Sequence, residues 1–330
     1  MNGAVISATN SRALVPKAGA GALLRRIVSG DSVAQLLVRG AALSIVLVTL
    51  ALVYELWVNS ALSRHQFGWH FFVTQTWDPV AGQFGALPFI YGTVVTSMVA
   101  LVLAVPAGVG AAIFLSELAP RRLSDAMTFL IELLAAVPSV IYGVIGMFVL
   151  VPAITAYAYP VLRDTLGWTP LFQGPFYGVS FLSAGIVLAV MILPFIVSVS
   201  RQILMAVPQD QREGALALGA TKWEMTWKVV VPFAKQGIFG SIFLALARAL
   251  GETMAVTMVI GNDPKIHASL FAPGYSIAAV IANEFTEATS DLYINSLINL
   301  GLVLFALTIV INGVARLLIH ATSRHSAQPA

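Results

Sequence analysis

Six apolar runs, each about twenty residues or longer, lie at roughly 41–62, 89–115, 126–153, 177–200, 236–260 and 293–318. Coiled as a helix, about twenty residues match the hydrocarbon core of a bilayer. Lipid offers no water to an exposed peptide group, so a chain with such runs is helical through them. The fold class that follows is all-α and polytopic, with six transmembrane helices. Composition agrees: 58% of the 330 residues are hydrophobic and 10% charged, with a mean hydropathy of +0.87. Soluble domains carry roughly 25% charged residues. The absence of cysteine removes disulfides, thiolate metal sites and cysteine nucleophiles. A net charge of +3 says little about nucleic acid, because in a membrane protein the placement of charge outweighs its sum.

Lysine and arginine are placed unevenly. With the N-terminus inside, the inner segments hold Arg12, Lys17, Arg25, Arg26, Arg39, Arg121, Arg122, Arg201, Arg212, Lys222, Lys228, Lys235, Arg316 and Arg324, fourteen of the eighteen bases. The outer segments hold Arg64, Arg163 and Lys265, and Arg248 falls within a span. By the positive-inside rule both termini are expected in the cytoplasm. Residues 1–35 read as a cytoplasmic tail, 36–320 as the transmembrane domain and 321–330 as a second cytoplasmic tail. The first run is too long for a secretory signal and is followed by only a poor small-x-small cleavage site, so it reads as an uncleaved anchor. Pro106, Pro138, Pro152 and Pro194 are expected to kink their helices without ending them. The first outer loop carries Phe67, Trp69, Phe71, Phe72, Trp77 and Phe84. It reads as an interfacial aromatic belt or as an ordered platform for a partner. His65 and His70 have no carboxylate beside them and do not read as a metal site. No cofactor is implied, and no internal repeat stands out.

The most informative stretch is Val207 to Ile238, between the fourth and fifth runs. Pro208, Gln209 and Asp210 suit the first turn of a helix. Glu213-Gly-Ala-Leu-Ala-Leu continues it to Gly219, which can take the left-handed stop position. Thr221-Lys-Trp-Glu224 is a capping box. The expectation is two short amphipathic helices at an angle, the second ended by Pro232.

The spacing Glu213-Gly214-Ala215-x3-Gly219-x9-Val229-x-Val231-Pro232 resembles the EAA loop of binding-protein-dependent ABC importer permeases, Glu-Ala-Ala-x3-Gly-x9-Ile-x-Leu-Pro. Gly214 stands for the first alanine, and Val229 and Val231 for Ile and Leu. The resemblance implies a type I ABC importer permease fold with its core at about 89–318. It also implies that the loop seats in a cleft of an ATPase subunit through Glu213, Gly214, Ala215, Gly219, Thr221, Glu224 and Pro232. The chain has no Gly-x4-Gly-Lys-Ser/Thr loop to cradle phosphates, so ATP is handled by another polypeptide and the chain is not itself a hydrolase. Further stretches are similar to the phosphate-importing permeases of the family: Trp77-Asp-Pro79, Phe84–Thr93, Phe114–Pro120, Val137–Gly143 and Arg248–Asn262. That similarity covers about 65–320. It implies inorganic phosphate as substrate, a bacterial cytoplasmic membrane, a PstA-like sister permease, a PstB-like ATPase dimer inside and a PstS-like phosphate-binding protein outside.

Arg248 and Glu252 lie four residues apart in the fifth run, where each buried charge costs about 2.5–3.5 kcal/mol on insertion scales. On one helical face they are expected to pair at a subunit interface, with Ala245/Ala249 and Ala247/Gly251 allowing close helix approach. Guanidinium offers phosphate a planar donor fork, so Arg248, steadied by Glu252, is the expected substrate-path residue. Ser139 and Tyr142 are further path candidates. Glu132 is expected to meet another helix, and Glu55 has no assigned role. A structural ion pair, another oxyanion such as sulfate or molybdate, and a secondary anion transporter are the alternatives.

Overall fold

The computed structural model describes residues 31–324, so the expected tails lie largely outside it. Its contacts divide the chain after Glu55. Six helices are long and apolar enough to cross a membrane: Val33–Asn59, Leu87–Leu118, Ser139–Leu166, Phe181–Met205, Lys222–Leu250 and Asp291–Leu317, hereafter spans one to six. No strand occurs among the described residues.

Span four is the central strut, with 67% of its most apolar window buried. It packs along spans two and five. Span two meets this core through Ala100, Ala104 and Gly108, one small residue every fourth position, all buried. Small side chains let the backbones approach, which is how helices gain contact where lipid removes the hydrophobic drive. A Cβ on Gly108 would come within 2.8 Å of Ile196 on span four. Ala245 and Ala249 of span five are buried in the same core. That corrects part of the sequence expectation, since this small-residue pair serves packing within the chain.

The prolines divide into two groups. Pro106 and Pro194 lie inside continuous helices, as expected. Pro152, Pro160 and Pro232 each follow a π-helical turn, at Gly146–Leu150, Ile154–Ala158 and Thr226–Val230. A π turn bonds i to i+5, and the wider ring relieves the clash and the lost N–H that a proline imposes on an α-helix. Pro232 therefore does not end its helix, which runs unbroken from Lys222 to Leu250. The expected second short helix is the opening of span five. Pro138 behaves oppositely. It takes an extended conformation (ψ 141°) and separates helix Arg121–Ala135 from span three. The expected span 126–153 is thus two helices, and the one long enough to cross runs 139–166. The residue before a proline is disfavoured in the helical region, which suits a break here. Glu132, on the shorter helix, is exposed on this chain.

The aromatic loop before span two is an ordered cluster. Phe71, Trp77, Phe84, Phe89, Tyr275 and Tyr293 share one buried core. Trp77 stands edge-on to Phe84 and Phe89 at 4.8 and 4.9 Å. The Glu284 carboxylate accepts from Trp77 Nε1 (2.8 Å) and from the Tyr293 hydroxyl (2.7 Å), tying loop, helix Ile277–Glu284 and span six together. Burial pushes the Tyr275 phenol up to about 12. Trp69 alone of the loop's large rings is almost fully exposed, at 84%.

Gly92 is buried where span two passes the Tyr275 carbonyl, and a Cβ there would collide with that oxygen. Backbone cannot swing aside as a side chain can. Gly92→Ala should lower stability by about 1–3 kcal/mol, the usual range for overpacking. A thermal-unfolding midpoint equal to that of the unaltered protein would show that the close approach is not required.

Candidate functional site

Two helix breaks lie side by side. Span five stops at Leu250, with Gly251 as its C-cap, and helix Met254–Ile260 follows. Glycine is a poor helix former, and the next residue, Glu252, turns its carboxylate to Ala255 N (3.2 Å), satisfying one of the orphan donors of the new helix. The short helix packs against Ser139–Ile145, the first turns after the Pro138 break. Gly143 makes this contact possible: a Cβ there would meet Met258 Sδ at 2.6 Å and Ala255 Cα at 3.1 Å.

The expected Arg248–Glu252 pair is not formed. Arg248 is in the last turn of span five and Glu252 lies beyond the helix end, so the two do not share a helical face. Among the described residues Arg248 makes no ion pair or hydrogen bond, and it is exposed on this chain. Tyr142 is buried and donates to Leu134 O (2.6 Å), across the Pro138 break. Ser139 opens the helix after that break and is half-buried. The structure thus gathers Arg248 and Tyr142 near the junction of two broken helices, adds Ser139 on the same element as Tyr142, and turns Glu252 to a capping role. A free guanidinium beside interrupted backbone can receive an anion through two parallel N–H donors.

At the other end of span five the loop matches its sequence closely. Helix Gln209–Ala217 ends in a Schellman arrangement: Ala220 N donates to Ala215 O, Gly219 N donates to Leu216 O, and Gly219 has φ +84°. Thr221 and Glu224 form the full capping box. Glu213, Gly214, Gly219, Thr221 and Pro232 are exposed, and Ala215 and Glu224 half-buried. A Cβ on Gly214 or Gly219 would meet nothing within 4 Å. Leu218 is 91% exposed, and Trp223 and Trp227 form an exposed edge-on pair at 5.5 Å.

Sequence reasoning missed what holds this loop. Arg212 Nη2 donates to Glu117 at 2.9 Å and to Leu204 O at 2.8 Å, joining the loop helix to the ends of spans two and four. Glu117 is 5% exposed and Arg212 16%. Arg201 Nη2 donates to Ser124 Oγ (3.1 Å), which donates to Leu115 O (2.8 Å). A lone acid in the apolar run before Pro120 was the available signal. No group of three His, Asp or Glu side chains able to hold a metal occurs among the described residues.

Residues 104–324 match the family described as binding-protein-dependent transport system inner membrane component. A phosphate transport system permease protein PstC of Mesorhizobium japonicum is 45% identical over 299 residues, covering 89% of this chain and 91% of that one. Its counterpart in Xylella fastidiosa is 47% identical over 86% and 89%, and that of Haemophilus influenzae 46% over 84% and 89%. Among solved structures the fold is similar to a chain of a bacterial ABC transporter involved in the import of the acidic polysaccharide alginate (TM-score 0.54, 17% identity, 88% of this chain and 98% of that one). It is also similar to a chain of the inward-facing MetNI methionine ABC transporter (TM-score 0.52, 16% identity, 71% and 94%).

Proposed function

The chain belongs to the family of binding-protein-dependent transport system inner membrane components, and from that premise we propose that it is a permease subunit of an ATP-driven importer of inorganic phosphate. It is a multi-pass membrane protein with a type I importer fold. The observation that carries the substrate-path reading is the unpaired guanidinium of Arg248 at the junction of two broken helices. Arg248 is the phosphate ligand of this subunit, with Tyr142 and Ser139 beside it. Glu252 sets where the second helix begins and so how Arg248 is presented. The exposed face of span five around Ala247 and Gly251 meets a PstA-like sister permease. A PstS-like binding protein delivers phosphate to the outer side, above the aromatic cluster.

The loop at 209–230 receives a PstB-like ATPase on the cytoplasmic side. Its support is the open space around Gly214 and Gly219, the exposed Leu218 and tryptophans, and a loop shape fixed by its own caps. Glu213, Ala215, Thr221, Glu224 and Pro232 complete the seat. Both termini then lie in the cytoplasm. A cysteine at exposed Ala217 should react with an impermeant thiol reagent only after the membrane is opened. Labelling from the outside would reverse the orientation and remove the ATPase contact.

Gly219→Val places a β-branched residue at φ +84°, at a cost of about 1–3 kcal/mol confined to the loop. The variant should insert and assemble but hydrolyse ATP without moving phosphate. Phosphate uptake and ATPase activity of the reconstituted complex test this together, and unimpaired uptake would exclude the loop as the coupling element.

Arg248→Lys keeps the charge and loses the fork, so uptake should fall by about tenfold or more. Arg248→Met should abolish uptake while the partner subunits still copurify. Sulfate in excess should not compete in the unaltered complex. An assembled Arg248→Met complex that transports phosphate at the unaltered rate would take Arg248 off the path.

A further inference from the structure

At the loop end of span four a second cluster of cations surrounds a cavity of about 370 Å³, whose lining includes Arg121, Ser124, Asp125, Arg201, Gln209 and Arg212. Three guanidiniums in this lining face a single carboxylate. Counting Glu117, which Arg212 holds at 2.9 Å, still leaves the cluster positive. Like charges gathered in a partly enclosed site repel one another unless something negative answers them. Arg201 and Arg212 each commit Nη2 to protein acceptors, as described above. No hydrogen bond among the described residues engages Nη1 of either, and both Nε–H groups are buried without a partner. Buried donors left over in this way are uncommon in native structures. The excess positive charge and the unspent donors are separate observations, and both ask for an anion.

We propose that this cavity binds a phosphate group, contributed either by the headgroup of an anionic phospholipid or by free inorganic phosphate. Planar guanidiniums match phosphate oxygens in pairs, and the cavity's place at the end of a span suits a ligand held at the membrane surface. The site is separate from Arg248, which lies at the opposite end of span five from the loop. It bears on the loop all the same. Arg212 belongs both to the cavity and to the bridge that fixes helix Gln209–Ala217, so an occupied cavity holds that helix more firmly.

The test uses the complex purified with its partner subunits in phosphatidylcholine nanodiscs, in the Arg248→Met background so that binding on the substrate path does not enter. In one arm radiolabelled orthophosphate is bound by equilibrium dialysis. In the other, delipidated complex is titrated with dioleoyl phosphatidylglycerol and, as a control, dioleoyl phosphatidylcholine, and bound lipid is counted by native mass spectrometry. Arg121→Gln with Arg201→Gln leaves the Arg212–Glu117 bridge intact and should weaken binding of the true ligand about thirtyfold, on the basis of ~1 kcal/mol per surface base. Asp125→Asn, at an exposed position, should tighten it roughly fivefold. A response confined to phosphatidylglycerol assigns the site to lipid, and one confined to orthophosphate assigns it to the free anion. If neither probe responds to either set of substitutions, the proposal is wrong. Should the double variant fail to assemble, Asp125→Asn decides alone, and unchanged affinity for both probes overturns the site.

Discussion

A peptide group in hydrocarbon must bond to another peptide group, and this requirement governs the whole molecule. It makes every departure from the α-helix costly, so the departures that persist are informative. Three of them are π turns that let a proline sit within a span. Two are true breaks, at 136–138 and 251–253, and the helices that resume after them pack against each other. Interrupted backbone at membrane depth is tolerated where protein or a water-filled cavity lines it. Two breaks placed together therefore coincide with the proposed substrate path. The unpaired guanidinium of Arg248 stands there.

The remaining packing keeps that junction in position. Span four is buried by small residues on one side and by the alanines of span five on the other. At one end the Glu284 carboxylate gathers Trp77 and Tyr293 from elements more than two hundred residues apart in the chain. At the other end the Glu117–Arg212 bridge, with the Arg212 bond to Leu204 O, joins two spans to the loop. Both are polar ties at the rims of an apolar core. There the cost of desolvating a charge is smaller than in the bilayer, and a lost partner would leave a buried acceptor unsatisfied.

What was legible in the sequence was local. Gly219, the Thr221–Glu224 box and the start at Pro208 are signals within a few residues of one another, and the loop formed as they indicate. The six apolar runs gave six spans with shifted ends. What was not legible depended on partners far along the chain. Glu117 and Arg212 are 95 residues apart, and nothing near either names the other. The helix was carried on through Gly251 because the apolar run continues. The run cannot reveal that Glu252 bonds forward to Ala255, or that the short helix after it finds a berth against Gly143. Pro138 and Pro152 look alike in sequence. One stays within its helix after a π turn and the other opens a new helix.

The uninterrupted helix from Lys222 to Leu250 has a mechanical consequence. Its first turn is clamped by the capping box, and its last turn carries Arg248. At 1.5 Å per residue the two ends are about 39 Å apart, so a tilt of only ~5° about the loop end would sweep the guanidinium through roughly 3 Å. That displacement is about the length of a hydrogen bond, enough to make or break one. The π turn at Thr226–Val230 lies within this lever arm, between the loop and the arginine.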